Sequence, residues 1–285
     1  MPFRREQYQT MHRWSPVMMR MAAVSAAIFG LAVIGLVVDD RLITGAPAWL
    51  KPAKFGASGA IYLVTMSFMM RDLSPTPTVR VAKSLIAWIL ALETAVIAVQ
   101  AARGTTSHFN IDTPLDAAIF SSMGLGIATV WIMSAVLLWK HLRTPAADRT
   151  MAMALRLGLA LNIAGAGVGW TMTQPRPAQL AAMQRGERPF RVGSHTVGAP
   201  DGGAGLALTQ WSREHGDLRI PHFVGMHAWQ LLPLLLLGLR RVRTASHDGT
   251  ERATILVAST ACAAVFIAAL VQALAGHPLI PPSTS

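Results

Sequence analysis

Histidine and aspartate are the residues of this sequence with the richest chemistry, and they are concentrated in one stretch. Residues 193–230 hold four of the nine histidines. Imidazole binds Zn, Cu and Fe, and a catalytic zinc site needs three protein ligands and an open position. This chemistry predicts a metal site, and its candidate ligands are His108, His195, His222, His227, Asp201 and Asp217. Alternatively, Asp201 or Asp217 would orient a metal-binding histidine by accepting a hydrogen bond from its other ring nitrogen.

The spacing of these residues matches no compact metal motif such as HExxH. His222 and His227 are five residues apart, hence roughly 140° around a helix, so they do not easily bind one ion. Such ligands have to be assembled by the fold. A second interpretation is haem with His227 as an axial ligand. Because no CxxCH is present, this haem would be bound non-covalently.

A second group of polar residues lies inside apolar segments. Glu93 falls near the middle of an apolar run, where a charged carboxylate costs about 2.5 to 3.5 kcal/mol on membrane-insertion scales. Tyr62 follows Lys51 and Lys54 along one face of a predicted helix. These positions predict catalytic roles for Glu93, His227 and Tyr62. Binding of a cofactor or an anionic group is assigned to Lys51, Lys54, Gln230 and Trp211.

The composition shows which kind of protein must position these residues. Of the 285 residues, 52% are hydrophobic and only 14% are charged, which is too apolar for a soluble domain. The net charge of +11 does not indicate nucleic acid, because the charges lie between apolar runs and not on a basic face. The single cysteine, Cys262, excludes an intrachain disulfide and a cysteine-based metal site.

Seven apolar runs have the length of a membrane span. Lipid offers no hydrogen-bond partner to the backbone, so each run is expected to be a helix. The fold class predicted is therefore all-α, a polytopic integral membrane protein forming a single membrane domain over 1–285. The spans are expected at about 21–38, 52–70, 84–102, 115–139, 154–172, 221–239 and 253–275. Gly165 and Gly169 form a GxxxG pattern in the fifth span, which predicts close helix packing.

Lysine and arginine set the predicted orientation. Fifteen of the 25 lie at the N-terminus and in the segments 71–83, 140–156 and 240–252, which alternate onto one side of the membrane. The positive-inside rule makes that side cytoplasmic. The N-terminus is then cytoplasmic and the C-terminus extracytoplasmic. The loop 173–220 becomes an extracytoplasmic lid over the histidines, and long ordered loops are often functional.

The leading functional hypothesis is a metal- or haem-dependent enzyme in a bacterial cytoplasmic membrane. Its site would open to the extracytoplasmic side and act on a lipid, quinone or other small molecule. A proton-coupled transporter that uses Glu93 and His227 is the first alternative, because intramembrane Glu and His are typical relay groups. A subunit of a larger membrane complex is the second. The expected partners are the lipid bilayer, the substrate, and a second copy or complex subunits, with no nucleic acid. GxSxG and P-loop motifs are absent.

Overall fold

The computed structural model describes residues 15–242 and 248–281. Most of these residues are helical, which confirms the helical character predicted from the apolar runs. The chain divides into two compact units, Met1–Thr144 and Pro145–Ser285. Arg4, Arg5, Arg13 and Arg243, which contribute to the predicted orientation, lie outside the described residues.

From residue 15 onward, the first unit forms four long helices and a small hairpin. The helices are α1 (Pro16–Val38), α2 (Leu50–Met69), α3 (Pro77–Ala102) and α4 (Pro114–Arg143), and the strands β1 (Leu42–Ile43) and β2 (Ala46–Pro47) pair between the first two helices. Proline begins three of these helices, because its missing N–H would have no partner in the first turn. The Thr76 and Thr113 hydroxyls cap α3 and α4 by accepting backbone N–H bonds.

Glycine allows α1 and α2 to approach closely. A Cβ placed at Gly56 would lie 2.8 Å from the backbone nitrogen of Phe29, and the Trp49 ring fills the space beside Gly35. Asp39 holds that ring by accepting a hydrogen bond from the indole N–H at 2.7 Å. The start of α2 is thereby fixed against the end of α1.

In the second unit, the described residues form four helices and a short two-stranded ribbon. They are α5 (Arg149–Thr173), α6 (Pro177–Gln184), β3 (Thr196–Val197), β4 (Gly216–Asp217), α7 (Arg219–Val242) and α8 (Asp248–Leu274). The two strands pair antiparallel, with Thr196 opposite Asp217. The segment predicted as the lid, 173–220, therefore contains regular structure of its own.

Helices α5 and α7 cross at a glycine contact. A Cβ at Gly165 would lie 2.6 Å from the backbone nitrogen of Met226, and one at Gly225 would lie 2.6 Å from the Cα of Gly165. Both distances are too short for a side chain, so the backbones touch. The predicted close packing is confirmed at Gly165. At Gly169 the nearest atom to such a Cβ would be His222 Cε1 at 3.8 Å, an ordinary contact.

An ion-pair cluster joins the opposite ends of these helices. Arg240, near the end of α7, pairs with Asp148 at 2.5 Å and with the buried Glu251 at 2.8 Å. Asp148 caps α5, and Glu251 lies in the first turn of α8. One arginine therefore connects three helices of this unit.

Six helices of the described chain are long and apolar enough to cross a membrane. They are α1, α3, α4, α5, α7 and α8. Helix α2 is 20 residues long but does not belong to this set, because Lys51 and Lys54 in its first turns lower its hydropathy. The observed helices also extend beyond the predicted runs, for example from Pro77 where the third run was expected to begin at 84.

Candidate functional site

The segment before His195 is held by hydrogen bonds from α6 and its N-cap residue. Gln179 accepts a hydrogen bond from the backbone N–H of Gly193 at 3.0 Å and donates one to the carbonyl of Gly193 at 3.2 Å. Arg176 donates from Nη2 to the carbonyl of Ser194 at 2.6 Å. The backbone that leads into His195 is therefore fixed by contacts with residues some 15 positions earlier in the chain.

The Asp201 carboxylate organises this part of the loop. It accepts hydrogen bonds from the Ser194 hydroxyl at 2.8 Å and from the backbone N–H groups of His195 at 3.0 Å and Thr196 at 2.9 Å. The Nδ1 of His195 lies 3.1 Å from the second carboxylate oxygen. Asp201 thus binds the imidazole and the backbone of the same histidine, which leaves the ring little freedom to rotate.

The electrostatics of this contact keep Asp201 ionised. Burial alone would raise the pKa of Asp201, but the hydrogen bonds from His195 and Ser194 and the charge of His195 together hold that pKa far below its usual range. An ionised carboxylate only accepts hydrogen bonds. The Nδ1 of His195 therefore carries a hydrogen, and in the neutral ring Nε2 carries the lone pair. The side chains of His195 and Asp201 remain 25% and 19% exposed, so small molecules can reach the ring.

A buried ion pair places the start of α7 beside this histidine. Asp217 is fully buried and lies 2.5 Å from the Arg219 guanidinium, and it also accepts the backbone N–H of Ser212 at 2.8 Å. The next residue, Leu218, donates its N–H to the carbonyl of His195 at 3.0 Å. Asp217 therefore shapes the loop and pairs with an arginine, whereas the sequence suggested that it would bind a metal or orient a histidine.

Helix α7 presents two further histidines, and each has its Nδ1 bound to a backbone carbonyl. For His222 this is the carbonyl of Gly165 at 2.8 Å, and for His227 that of Phe223 at 2.8 Å. Because a carbonyl only accepts, both Nδ1 atoms donate and both Nε2 atoms carry the lone pair. The charges of His195 and His227 both act on His222. These three imidazoles form what we term the histidine cluster.

An aromatic stack borders the histidine cluster. The ring of His227 stacks on Phe223 with centroids 3.9 Å apart, and Trp211 meets Phe223 edge-on at 5.6 Å. Phe223 is 47% exposed, and His227 is exposed as well. Trp211 therefore lies near His227, as a residue that lines the cluster.

Two amides of α5 and α7 bind backbone groups of α7. Asn162 donates to the carbonyl of Met226 at 2.9 Å. The Gln230 amide, oriented to satisfy its neighbours, donates to the carbonyls of Met226 and His227 at 3.2 and 3.3 Å. The Gln230 side chain, which the sequence suggested would bind a cofactor, is thus hydrogen-bonded to its own helix.

The predicted metal ligands do not assemble into a metal-binding group. Within residues 15–242 and 248–281, no three histidine, cysteine, aspartate or glutamate side chains lie close enough to hold an ion. His108 belongs to the first unit, where its Nδ1 lies 3.0 Å from the Ser107 hydroxyl. The three-ligand site and the haem site expected from the sequence therefore gain no support from these side chains.

The remaining candidates lie in the first unit. Glu93 on α3 is buried, with 7% of its surface exposed. The Tyr62 hydroxyl on α2 lies 3.5 Å from the hydroxyl of Ser134 on α4. Lys51 and Lys54 are half-buried in the first turns of α2, and the charge of Lys51 acts on Glu93. These interactions join α2, α3 and α4.

Several residues that build the site were missed from sequence. Ser194 and Arg219 are neighbours of predicted residues, in GSHT and GDLR, so a local hydrogen bond or ion pair was a reasonable expectation for both. No sequence signal marks Gln179, because its contact with Gly193 spans 14 residues. The role of Phe223 as the stacking partner of His227 follows the i, i+4 spacing on a helix.

Comparisons with protein-family models, curated proteins and solved structures find no significant match. The class of protein is therefore defined by the fold. Six apolar helices of spanning length, among the residues that the structure describes, make this chain a multi-pass membrane protein.

Proposed function

We propose that the protein is a seven-span membrane enzyme of the bacterial cytoplasmic membrane, with a cytoplasmic N-terminus and an extracytoplasmic C-terminus. The six apolar helices and the 20-residue α2 supply the seven spans, and a length of about 20 residues is enough to cross the hydrocarbon core. The distribution of lysine and arginine supports this orientation. The loop between α5 and α7 then faces the extracytoplasmic side.

The proposed site is the His195–Asp201 pair, working as a general base on a lipid or other small molecule. One observation carries this proposal: a carboxylate held ionised by four hydrogen-bond donors fixes His195 with its hydrogen on Nδ1. The lone pair of Nε2 can then take a proton from water or from a substrate hydroxyl, and the imidazolium that forms is stabilised by Asp201. Hydrolysis and group transfer both use this step.

Other members of the histidine cluster assist at the same end of the unit. His222 is fixed by Gly165 in the tautomer that leaves Nε2 as an acceptor, so its protonated form can return a proton to a leaving group. His227 and Phe223 offer an exposed flat surface against which an apolar or planar part of a substrate can pack. The reaction class proposed is thus proton transfer coupled to cleavage or transfer at an oxygen atom.

The test begins with cells that lack the gene. Their lipid and small-molecule extracts are compared with those of cells carrying the wild-type chain, and the compound that differs defines the assay. His195→Gln keeps a side chain that hydrogen-bonds with Asp201 but removes the base. We expect it to reduce formation of the compound by about 10² to 10⁴-fold, while thermal stability and membrane content remain those of the wild type.

Two further variants make the result specific. Asp201→Asn allows the wrong His195 tautomer and should also lower the activity, whereas His277→Gln, at an exposed position near the end of the described chain, should not. Full activity of a folded His195→Gln protein would contradict the proposal. Identical extracts from deleted and wild-type cells would equally remove an enzymatic role.

A further inference from the structure

Glu93 has room in the first unit only because a glycine faces it. A Cβ placed at Gly126 of α4 would lie 3.0 Å from Glu93 Oε1 and 3.0 Å from Ile89 Cγ2. Both distances are shorter than most real contacts of a Cβ atom. The carboxyl group therefore occupies a niche between α3 and α4 that a larger residue at 126 would fill. Gly124, two residues before Gly126, faces open space and makes no such niche.

The carboxyl group in this niche receives no hydrogen bond from the residues that the structure describes. This differs from the other polar groups nearby. Thr94, the next residue, donates to the carbonyl of Leu90 at 2.8 Å, and Tyr62 and Ser134 pair at 3.5 Å. A buried carboxylate without donors is strongly disfavoured in an apolar environment, so such a group binds a proton or takes a nearby cation.

Among residues 15–242 and 248–281, few charged groups are available to Glu93. On α1 no titratable residue lies between Arg20 and Asp39, and on α4 none lies between Asp116 and Lys140. Helix α2 contributes Tyr62 and the lysines of its first turns, of which Lys51 acts on Glu93 electrostatically. On α3 itself the nearest titratable residues in sequence are Lys83 and Arg103. Among the described residues of neighbouring helices, Lys51 is therefore the cation whose charge acts on Glu93.

We propose that Glu93 is a reversible proton-binding site in the first unit, with Lys51 as its counter-ion. In one state the carboxyl group is protonated and neutral. In the other, its O–H bond breaks, the proton leaves to water, and the carboxylate is neutralised by the Lys51 ammonium group. This site is independent of the histidine cluster, because it uses only residues of α2, α3 and α4.

The proposal is tested on the full-length protein with dicyclohexylcarbodiimide, an apolar reagent that reacts with protonated carboxyl groups. The acid O–H adds across one C=N bond, and the adduct rearranges to a stable N-acylurea that raises the mass of the peptide containing Glu93. We expect strong labelling at acidic pH that approaches a fall of about tenfold for each further pH unit above the titration midpoint. Glu93→Gln should abolish the labelled peptide.

Matched variants test the role of Lys51. Lys51→Met removes the counter-ion, so deprotonation becomes harder and the loss of labelling should move to higher pH by about one unit or more. Lys54→Met changes the neighbouring lysine on the same helix and should leave the curve unchanged. A curve that is identical in wild type, Lys51→Met and Lys54→Met would overturn the assignment of Lys51.

Infrared spectroscopy covers the case in which the reagent cannot reach the niche. The C=O band of a protonated carboxylic acid should disappear on raising the pH in wild-type protein, and the corresponding difference should be missing in Glu93→Gln. A band that persists unchanged from acidic to alkaline buffer would show permanent protonation. A spectrum without any contribution from Glu93 at acidic pH would show permanent ionisation. Either result overturns the proposal.

Discussion

The segment 193–217 of the second unit and the middle of α3 in the first unit bury acidic side chains in opposite ways. In the second unit, Asp217 is fully buried and Asp201 is mostly buried, yet each carboxylate is surrounded by donors from arginine, serine or backbone N–H groups. In the first unit, Glu93 is almost as buried and receives no donor from the described residues. The same chemical group is therefore a structural centre in one unit and a group without a donor among the described residues in the other.

Position in the secondary structure explains this difference. Asp201 and Asp217 lie in the loop segment 173–220, Asp217 within its two-residue strand β4, where backbone N–H groups are not used by a helix and can point at a carboxylate. Glu93 lies in the middle of a helix, whose N–H groups are already bonded to carbonyls one turn earlier. Asp116 shows that the unit itself is not the cause. It lies in the first turn of α4 and accepts hydrogen bonds from Gln100 at 3.1 Å and Thr113 at 2.7 Å.

The largest effect is expected from Asp217→Ala in the second unit. This change removes the carboxylate and leaves the Arg219 guanidinium partly buried without its counter-ion. We expect the free energy of unfolding to fall by about 3 kcal/mol, as for other broken buried pairs. Thermal or denaturant unfolding of the detergent-solubilised chain measures this loss. Asp112→Ala, at an exposed position of the first unit, is the control and should change stability by less than about 0.5 kcal/mol.

A loss of stability in Asp217→Ala as small as that of the control would contradict the proposed contrast between the acids of the second unit and Glu93. It would mean that the hydrogen bonds and the ion pair of Asp217 contribute little, and that loop acids are not the structural centres of the second unit.

An intermediate effect is expected from pH, through Asp201. Its pKa is lowered in the folded state, so the folded protein binds fewer protons at this carboxyl than the unfolded chain. Its contribution to stability is therefore complete above the unfolded pKa of about 4 and is lost progressively as the pH falls below that value. We expect Asp201→Asn to remove part of the acid sensitivity, of the order of 2 kcal/mol. Stability curves of both proteins over this acidic range provide the measurement.

The outcome is read from the difference between the two curves, because other carboxylates titrate in the same range. Parallel curves for wild type and Asp201→Asn, separated by a constant amount at every pH, would show that the ionised state of Asp201 does not stabilise the fold.

Most of the helical fold was predictable from sequence, because apolar runs of spanning length have few alternatives in lipid. The helix ends were less predictable. Helix α3 begins at Pro77, one residue after the Thr76 cap, whereas the apolar run begins at 84, since Arg80 and Lys83 interrupt it. Thr76 followed by Pro77 is typical of a helix start, so the sequence already indicated where α3 begins. Helix α2 shows the converse problem, because its lysines leave it outside the six helices that qualify as spans by apolarity.

The candidate site was less predictable than the fold. The association of Asp201 with His195 lies within six residues, and the sequence suggested that one of the two loop aspartates would orient a histidine. The niche of Glu93 depends on Gly126, 33 positions away on another helix, so no local sequence pattern predicts this niche. Side chains scattered along the chain suggested a metal site, but which of them meet is decided by packing that a single sequence does not contain.

The smallest effect is expected from Glu93→Gln in the first unit. The amide has nearly the size of the carboxyl group, so it fits the niche beside Gly126, and no native hydrogen bond to described residues is lost. The free energy of unfolding should change by less than about 0.5 kcal/mol. Asp116→Asn is the matched control in the same unit. It weakens the contacts of a satisfied carboxylate with Gln100, Arg103 and Thr113, and it should lower stability by about 1 to 2 kcal/mol. If Glu93→Gln destabilised the protein as much as Asp116→Asn, then Glu93 would have a structural partner, and the contrast between loop acids and the mid-helix acid would fail.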